Sequence, residues 1–263
     1  MGAERITGIS RHSTGEVRKP LVVPLILVTL VCWAWIIVMA RDMYGPMTGA
    51  SAWMMTLRWD AAHVFLLWAM WAAMMAAMML PSASPMLLLY DGAAKRQAIG
   101  ARASAERQVY ALAAGYVAVW ALFSIGATAT QRMLSMLLLV SPMMTLTSPV
   151  AAAGLLVIAG AYQLTPLKHA CLRACQSPLG FMMGHWRPGS SGAFRMGIDH
   201  GIHCLGCCWA LMLLLFVGGV MNLAVIATLA VVVAFEKISP FGVASARIGG
   251  VLLMVAAVWM LVR

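Results

Sequence analysis

The residues in this sequence most able to do chemistry carry sulfur and imidazole. Six cysteines are present, and five of them fall in two short segments. Cys171 and Cys175 are four apart, so on a helix they share a face. The second segment reads His200-Gly-Ile-His203-Cys204-Leu-Gly-Cys207-Cys208. Helical geometry puts His200, Cys204 and Cys207 on one face, with His203 and Cys208 flanking it. Gly201 and Gly206 would let a neighbouring helix or a bulky ligand approach closely. Together the segments offer Cys-x3-Cys, Cys-x2-Cys-Cys and two imidazoles, enough for a complete soft-metal site.

A second sulfur source lies upstream, in Trp68-Ala-Met70-Trp71-Ala-Ala-Met74-Met75-Ala-Ala-Met78-Met79-Leu-Pro81. Met70, Met74 and Met78 form one helical column, with Met75 and Met79 beside it. His63 falls on the same stripe two turns away, preceded by Asp60. Thioether sulfur is a soft ligand that favours Cu(I) over hard cations. The plainer reading of a methionine stripe is core filling, and that of the isolated Cys32 is packing. His63 and Asp60 suit a membrane interface as well as a functional role. His12, His169 and His185 sit in polar segments and are assigned no chemistry. Glu236 and Lys237 read as an interfacial ion pair, with Glu236 a proton-carrying group if it lies deeper.

The elements that must hold these residues are membrane spans. Of 263 residues, 63% are apolar and 10% charged, against about 25% charged in a soluble domain. Several apolar runs reach the roughly 20 residues that cross the hydrocarbon as helix, and none alternates like a barrel strand. Seven runs are legible: 21–40, 61–80 (ended by Pro81 and Pro85), 109–128, 149–167, 200–220, 222–236 and 246–262. Residues 133–146 form a short apolar stretch broken by Pro142, read as interfacial or re-entrant. The expectation is an all-α, polytopic transmembrane bundle of six or seven spans. It comprises a cytoplasmic N-terminal segment (1–20), a single transmembrane domain (21–263) and no soluble domain.

The net charge of +10 has a topological cause and does not point to nucleic acid. Arg5, Arg11, Arg18 and Lys19, then Lys95, Arg96, Arg102 and Arg107, then Lys168, Arg173, Arg187 and Arg195 collect in alternate loops. The positive-inside rule makes the N-terminus and those loops cytoplasmic, in a multi-pass protein of the bacterial inner membrane. The first apolar run lacks a small-residue cleavage site and reads as a retained anchor. The cysteines then face a reducing compartment, which disfavours disulfides. The methionine-rich half of the second span lies at the same end, so the two sulfur sources are expected to meet.

The blocks Trp71–Ser82, Leu167–Pro178, Arg195–Met212 with its Cys204-Leu-Gly206-Cys207-Cys208-Trp209 core, and Glu236-Lys237 resemble the bacterial DUF2182 family. That resemblance implies a polytopic membrane protein with a metal site in the Met, Cys and His residues above, and no particular reaction. Hard cations are disfavoured because the eight acidic residues are scattered. Copper(I) suits Cys, Met and His together. Zinc would take Cys171, Cys175, Cys204 and Cys207 as a closed tetrad, and an iron–sulfur cluster could use the same thiolates. Three roles follow. One is copper handling, with His63 and the methionine column as a path to the cysteines. The others are a copper-dependent membrane oxidoreductase acting on a lipophilic substrate, and an accessory subunit with a structural zinc. Expected partners are the lipid bilayer and a membrane or soluble subunit. No nucleotide-binding motif is present to drive pumping.

Overall fold

The computed structural model describes residues 19–45, 60–97, 102–141 and 144–262, and the named elements within them are all helices. The helices are α1 (Lys19–Met43), α2 (Ala61–Gln97), α3 (Arg102–Met136), α4 (Pro149–Gln163), α5 (Pro166–Gln176), α6 (Pro178–His185), α7 (Gly189–Met212), α8 (Leu214–Gly218), α9 (Leu223–Ile238) and α10 (Gly242–Val262). Arg5, Arg11, Arg18, His12 and Arg58 lie outside the described residues.

Among the described residues, five stretches are long and apolar enough to cross a membrane: 21–43, 61–96, 104–136, 189–218 and 242–262. A sixth arises if α4 and α5, bent by 64°, count as one broken span. The expected six or seven spans thus become five or six. One reason is that α9, which starts after its Asn222 cap, is a helix of only 16 residues. That is roughly 24 Å of helix, short of the roughly 30 Å hydrocarbon thickness. The bend between α4 and α5 has a local cause. Pro166 is the first residue of α5, and the Thr165 hydroxyl caps the new helix by accepting from the Lys168 amide at 3.3 Å.

Two other boundaries move. Pro81 and Pro85 do not end α2, which continues to Gln97. The carbonyl of Pro81, deprived of a helical partner by Pro85, accepts from the Ser84 hydroxyl at 2.7 Å. The helix carrying His200 begins eleven residues earlier, at Gly189. As a result Met79 is the middle residue of α2, and Cys204 sits midway along the α7–α8 stretch. Both therefore stand at the middle of their helices and not at an end, where the sequence places them. Residues 133–136 finish α3. Most of the apolar stretch that follows is a non-helical turn, which Leu146 ties to α8 by donating its amide to the Phe216 carbonyl at 2.9 Å.

Burial sorts the helices into layers. In the apolar windows of α2 and α7–α8, 50% and 56% of residues are buried, against 11% in α1 and 17% in α10. The first pair forms the centre, and the second presents apolar surface outward, as lipid contact requires. Small residues let the central helices touch. A Cβ at Gly197 of α7 would meet the Leu112 carbonyl, and one at Gly115 of α3 would meet the Phe194 carbonyl. Gly197→Leu should therefore lower the thermal stability of the detergent-solubilised protein by about 1–3 kcal/mol or abolish its folded yield. Gly126→Ala, at a helical position with open space around it, should be neutral or gain up to about 1 kcal/mol. Equal effects of the two would contradict this packing.

Candidate metal centre

Five helices bring sulfur or its neighbours to one buried place. From α7 come Cys204, Cys207 and Cys208, each no more than 2% exposed. Their spacing of three and four turns the thiols toward one side, and those of Cys207 and Cys208 each donate to the Cys204 carbonyl at 3.0 Å. From α5 come Cys175 and Cys171, half-buried and packed against the core that holds the three thiols of α7. Gly206 admits α5: a Cβ there would lie 2.8 Å from the Cys171 sulfur. The Tyr162 hydroxyl of α4 donates to the Gly206 carbonyl, so the bare backbone serves two helices.

From α2 comes Met79, whose sulfur lies 4.0 Å from the Cys208 sulfur. From α3 comes Tyr116, whose hydroxyl donates to the Met79 carbonyl at 3.1 Å and lies 3.0 Å from the Cys204 sulfur. From α9 comes Lys237. Its Nζ donates to the Cys204 sulfur at 2.9 Å, to the Ser82 hydroxyl at 3.1 Å and to the Met79 sulfur at 3.7 Å. The three donors of an ammonium are thereby used up. A cation 5% exposed needs a negative complement. The preceding residue, Glu236, does not provide it. That carboxylate faces another way, pairing with the buried Lys168 at 2.7 Å and accepting from Gln163 at 3.0 Å.

The expected ion pair between Glu236 and Lys237 is therefore replaced by two separate arrangements, because successive helix positions point about 100° apart. Lys168 is likewise not a loop charge. It is a fully buried residue of α5, and the pair it forms ties α5 to α9. Removing one partner of such a pair costs about 3–5 kcal/mol.

The residues named from sequence divide into those that meet and those that do not. Cys175, Cys204, Cys207 and Cys208 converge, with Cys171 at their edge, packed on Gly206. Met70, Met74 and Met78 are buried core residues. The methionine that reaches the thiols is Met79, from the column beside them. Met70 lies roughly 14 Å from Met79 along α2, and His63 roughly 24 Å. One metal cannot touch His63 and the cysteines. His63 instead sits buried at the start of α2, where its amide donates to the Asp60 carboxylate at 2.8 Å. His200 lies one turn before Cys204, buried, with its ring 5.7 Å from that of Tyr116. His203 points aside and donates Nδ1–H to the Asp199 carbonyl at 2.8 Å.

Among the described residues, no three His, Cys, Asp or Glu side chains are already arranged to hold a metal ion. The thiols are turned to the backbone and to Lys237, so the closed tetrad expected of Cys171, Cys175, Cys204 and Cys207 is not preassembled. What the structure assembles is a set of soft donors around a buried positive charge. Lys237 had a signal in the sequence, being an ionisable residue in an apolar run. Tyr116 and Ser82 had none, because only packing brings their hydroxyls to the sulfur.

A bundle of apolar helices with sulfur donors buried at mid-length defines a membrane protein of metal-binding character. Residues 68–260 match the family described as PpoB2, copper chaperone, and the chain belongs to that family. The match supports a metal-binding family in general and does not carry the narrower DUF2182 label. Neither the curated proteins nor the solved structures include a match to this chain.

The geometry sets Met79, in contact with the Cys208 sulfur, apart from Met70, Met74 and Met78. Leu is close to Met in volume, and such swaps usually cost under about 1.5 kcal/mol. Replacing Met70, Met74 and Met78 together by Leu should leave bound copper unchanged in metal analysis. Met79→Leu alone should weaken copper binding at unchanged thermal stability. The reverse pattern would make the Met70 column the ligand source.

Proposed function

We propose that this protein binds Cu(I) as cargo at the sulfur cluster of Cys175, Cys204, Cys207, Cys208 and Met79, and passes it to an acceptor protein. The observation that carries this is that the buried thiols of α7 meet the Met79 thioether in a core against which the α5 thiols pack. Soft sulfur donors select Cu(I) over the hard cations, and the family's description names copper. The DUF2182 resemblance of the Cys204–Trp209 block is read the same way, as marking this cluster. Cys171 and His200 stand next to it as further donors.

Lys237 gives the cluster its charge logic. Cu(I) held by two thiolates carries one net negative charge, which is costly inside an apolar bundle unless neutralised. The Lys237 ammonium already lies on the Cys204 sulfur. It occupies the position of a positive partner before the cargo arrives and remains within reach as the counter-ion afterwards. The donors are not prearranged for a metal, so loading turns the thiols of Cys207 and Cys208 away from the Cys204 carbonyl. A site that must rearrange to close can also open, which suits delivery better than storage.

Protein purified without chelator should hold copper, and Cys204→Ser or Cys207→Ser should lose it. Lys237→Met should fold, since it removes a buried charge, yet bind Cu(I) at least about tenfold more weakly, a change of about 1.4 kcal/mol. Stoichiometric zinc with no copper affinity would overturn the copper reading in favour of a structural zinc.

The membrane assignment is likewise proposed as the bacterial inner membrane, with the N-terminus cytoplasmic. A cysteine introduced at exposed Arg187 should react with an impermeant thiol reagent only after cells are opened, whereas one at Leu138, 82% exposed, should react in intact cells. The opposite labelling would invert the topology and put the cluster's α5 end outside.

A further inference from the structure

Three histidines gather around one phenylalanine on the side of α7 that leads to the cysteines. Phe181 of α6 stacks on His185 with ring centroids 4.3 Å apart and planes 8° apart. The same ring meets His200 at 5.2 Å and His203 at 5.5 Å, edge to face. His185 and His203 are themselves 6.2 Å apart. Both are half-buried, whereas His200 is buried. On α7, His203 directly precedes Cys204 but is turned to the Asp199 carbonyl, whereas the buried His200, one turn earlier, shares the helix face of Cys204 and Cys207 and stands between the partly open pair and the sulfur cluster.

The hydrogen bonds of the pair decide its chemistry. His185 Nδ1 lies 3.0 Å from the Phe181 carbonyl and His203 Nδ1 2.8 Å from the Asp199 carbonyl. A carbonyl only accepts, so each Nδ1 carries its proton and each neutral ring keeps its lone pair on Nε2. That is the state of a metal-ligating histidine, whose other nitrogen is held by a backbone carbonyl. Two imidazole nitrogens at about 2.0–2.1 Å from a metal, each a little over 1 Å from its own ring centre, span about 6.4 Å when opposed. The observed 6.2 Å falls just inside that reach. His200 adds a third feature: its Nδ1 is buried with no hydrogen-bond partner among the described residues. An orphaned buried nitrogen beside the path is explained if it takes a transient ligand.

We infer that His185 and His203 form a second Cu(I) site, a two-coordinate imidazole pair that captures the ion at the end of α6 and passes it by way of His200 to the sulfur cluster. The inference rests on the copper-handling function proposed above. Binding at the pair releases no proton, because Nε2 is already free, and two neutral ligands leave the ion its full positive charge. Transfer to thiolates is then downhill, since sulfur is the softer donor and brings negative charge. The protons lost are those of the receiving thiols.

The test titrates full-length, detergent-solubilised protein with Cu(I) in the presence of a chromophoric Cu(I) chelator. His185→Phe keeps the stack on Phe181, and His203→Gln keeps a polar side chain. The double variant should bind about one equivalent less than the unaltered protein, and its thiolate–Cu(I) absorption should grow more slowly to the same final level. In Cys204→Ser/Cys208→Ser the lost copper should be that of the sulfur cluster, and X-ray absorption should report nitrogen neighbours around the copper that remains. Unchanged stoichiometry and loading rate in the histidine variant would overturn the imidazole site while leaving the sulfur site standing. Loss of copper from the histidine variant with none from the cysteine variant would overturn the sulfur site and keep the pair. If the double variant fails to fold, X-ray absorption on the unaltered protein at two equivalents decides: sulfur neighbours alone refute the pair.

Discussion

The ammonium of Lys237 is held in the middle of an apolar bundle by a cysteine sulfur, a methionine sulfur and a serine hydroxyl. Much of the centre follows from that contact. A buried cation must be met by electron-rich groups or it expels itself toward water. Meeting it here requires α2, α7 and α9 to converge at one depth. Tyr116 then joins α3 to the same point through Met79 and Cys204. The sulfur cluster and the helix packing are thus one arrangement seen from two sides.

The second buried charge pair serves a different purpose. Lys168 and Glu236 are almost completely shielded and tie α5 to α9. This anchors the helix that carries Cys171 and Cys175 against the helix that carries Lys237. Gln176 reinforces the contact by donating to the carbonyls of Glu236 and Ser239 at 2.8 and 3.1 Å. Neighbouring residues Glu236 and Lys237 therefore divide the work, one fastening the scaffold and the other facing the cluster. A buried ion pair is poor evidence for stability compared with apolar packing, but it specifies one mating of two helices. Positioning of thiols needs that specificity.

Softness and mobility are reconciled in the same cluster. The thiols of Cys207 and Cys208 rest on the backbone of their own helix, bonds that local rotation can release. Cys171 lies against Gly206, where the absence of a side chain lets α5 approach. The result is a dense set of donors whose rest state is satisfied without metal, which is what the proposed carrier role requires.

Composition alone determined that the chain is an apolar helical protein, because 63% apolar residues and 10% charged ones leave little to solvate a soluble surface. Local spacing determined that the cysteines of each segment share a helix face, since helical periodicity is a property of neighbours in sequence. The connection at Asn222 was also local, whereas the bend at Pro166 falls inside the run read as continuous over 149–167. What sequence could not decide was which surfaces of different helices meet. Met70, Met74, Met75, Met78 and Met79 are chemically alike, and only the rotation of α2 against α7 selects Met79. His63 lies on the methionine stripe, yet helix length carries it away from the thiols. His185 looked idle in a polar segment and acquires neighbours only when α6 folds back along α7. Tyr116, Ser82 and the separation of Glu236 from Lys237 belong to the same class. Tertiary packing decided them, because contacts between helices depend on their mutual rotation and depth, which no periodicity within one helix encodes.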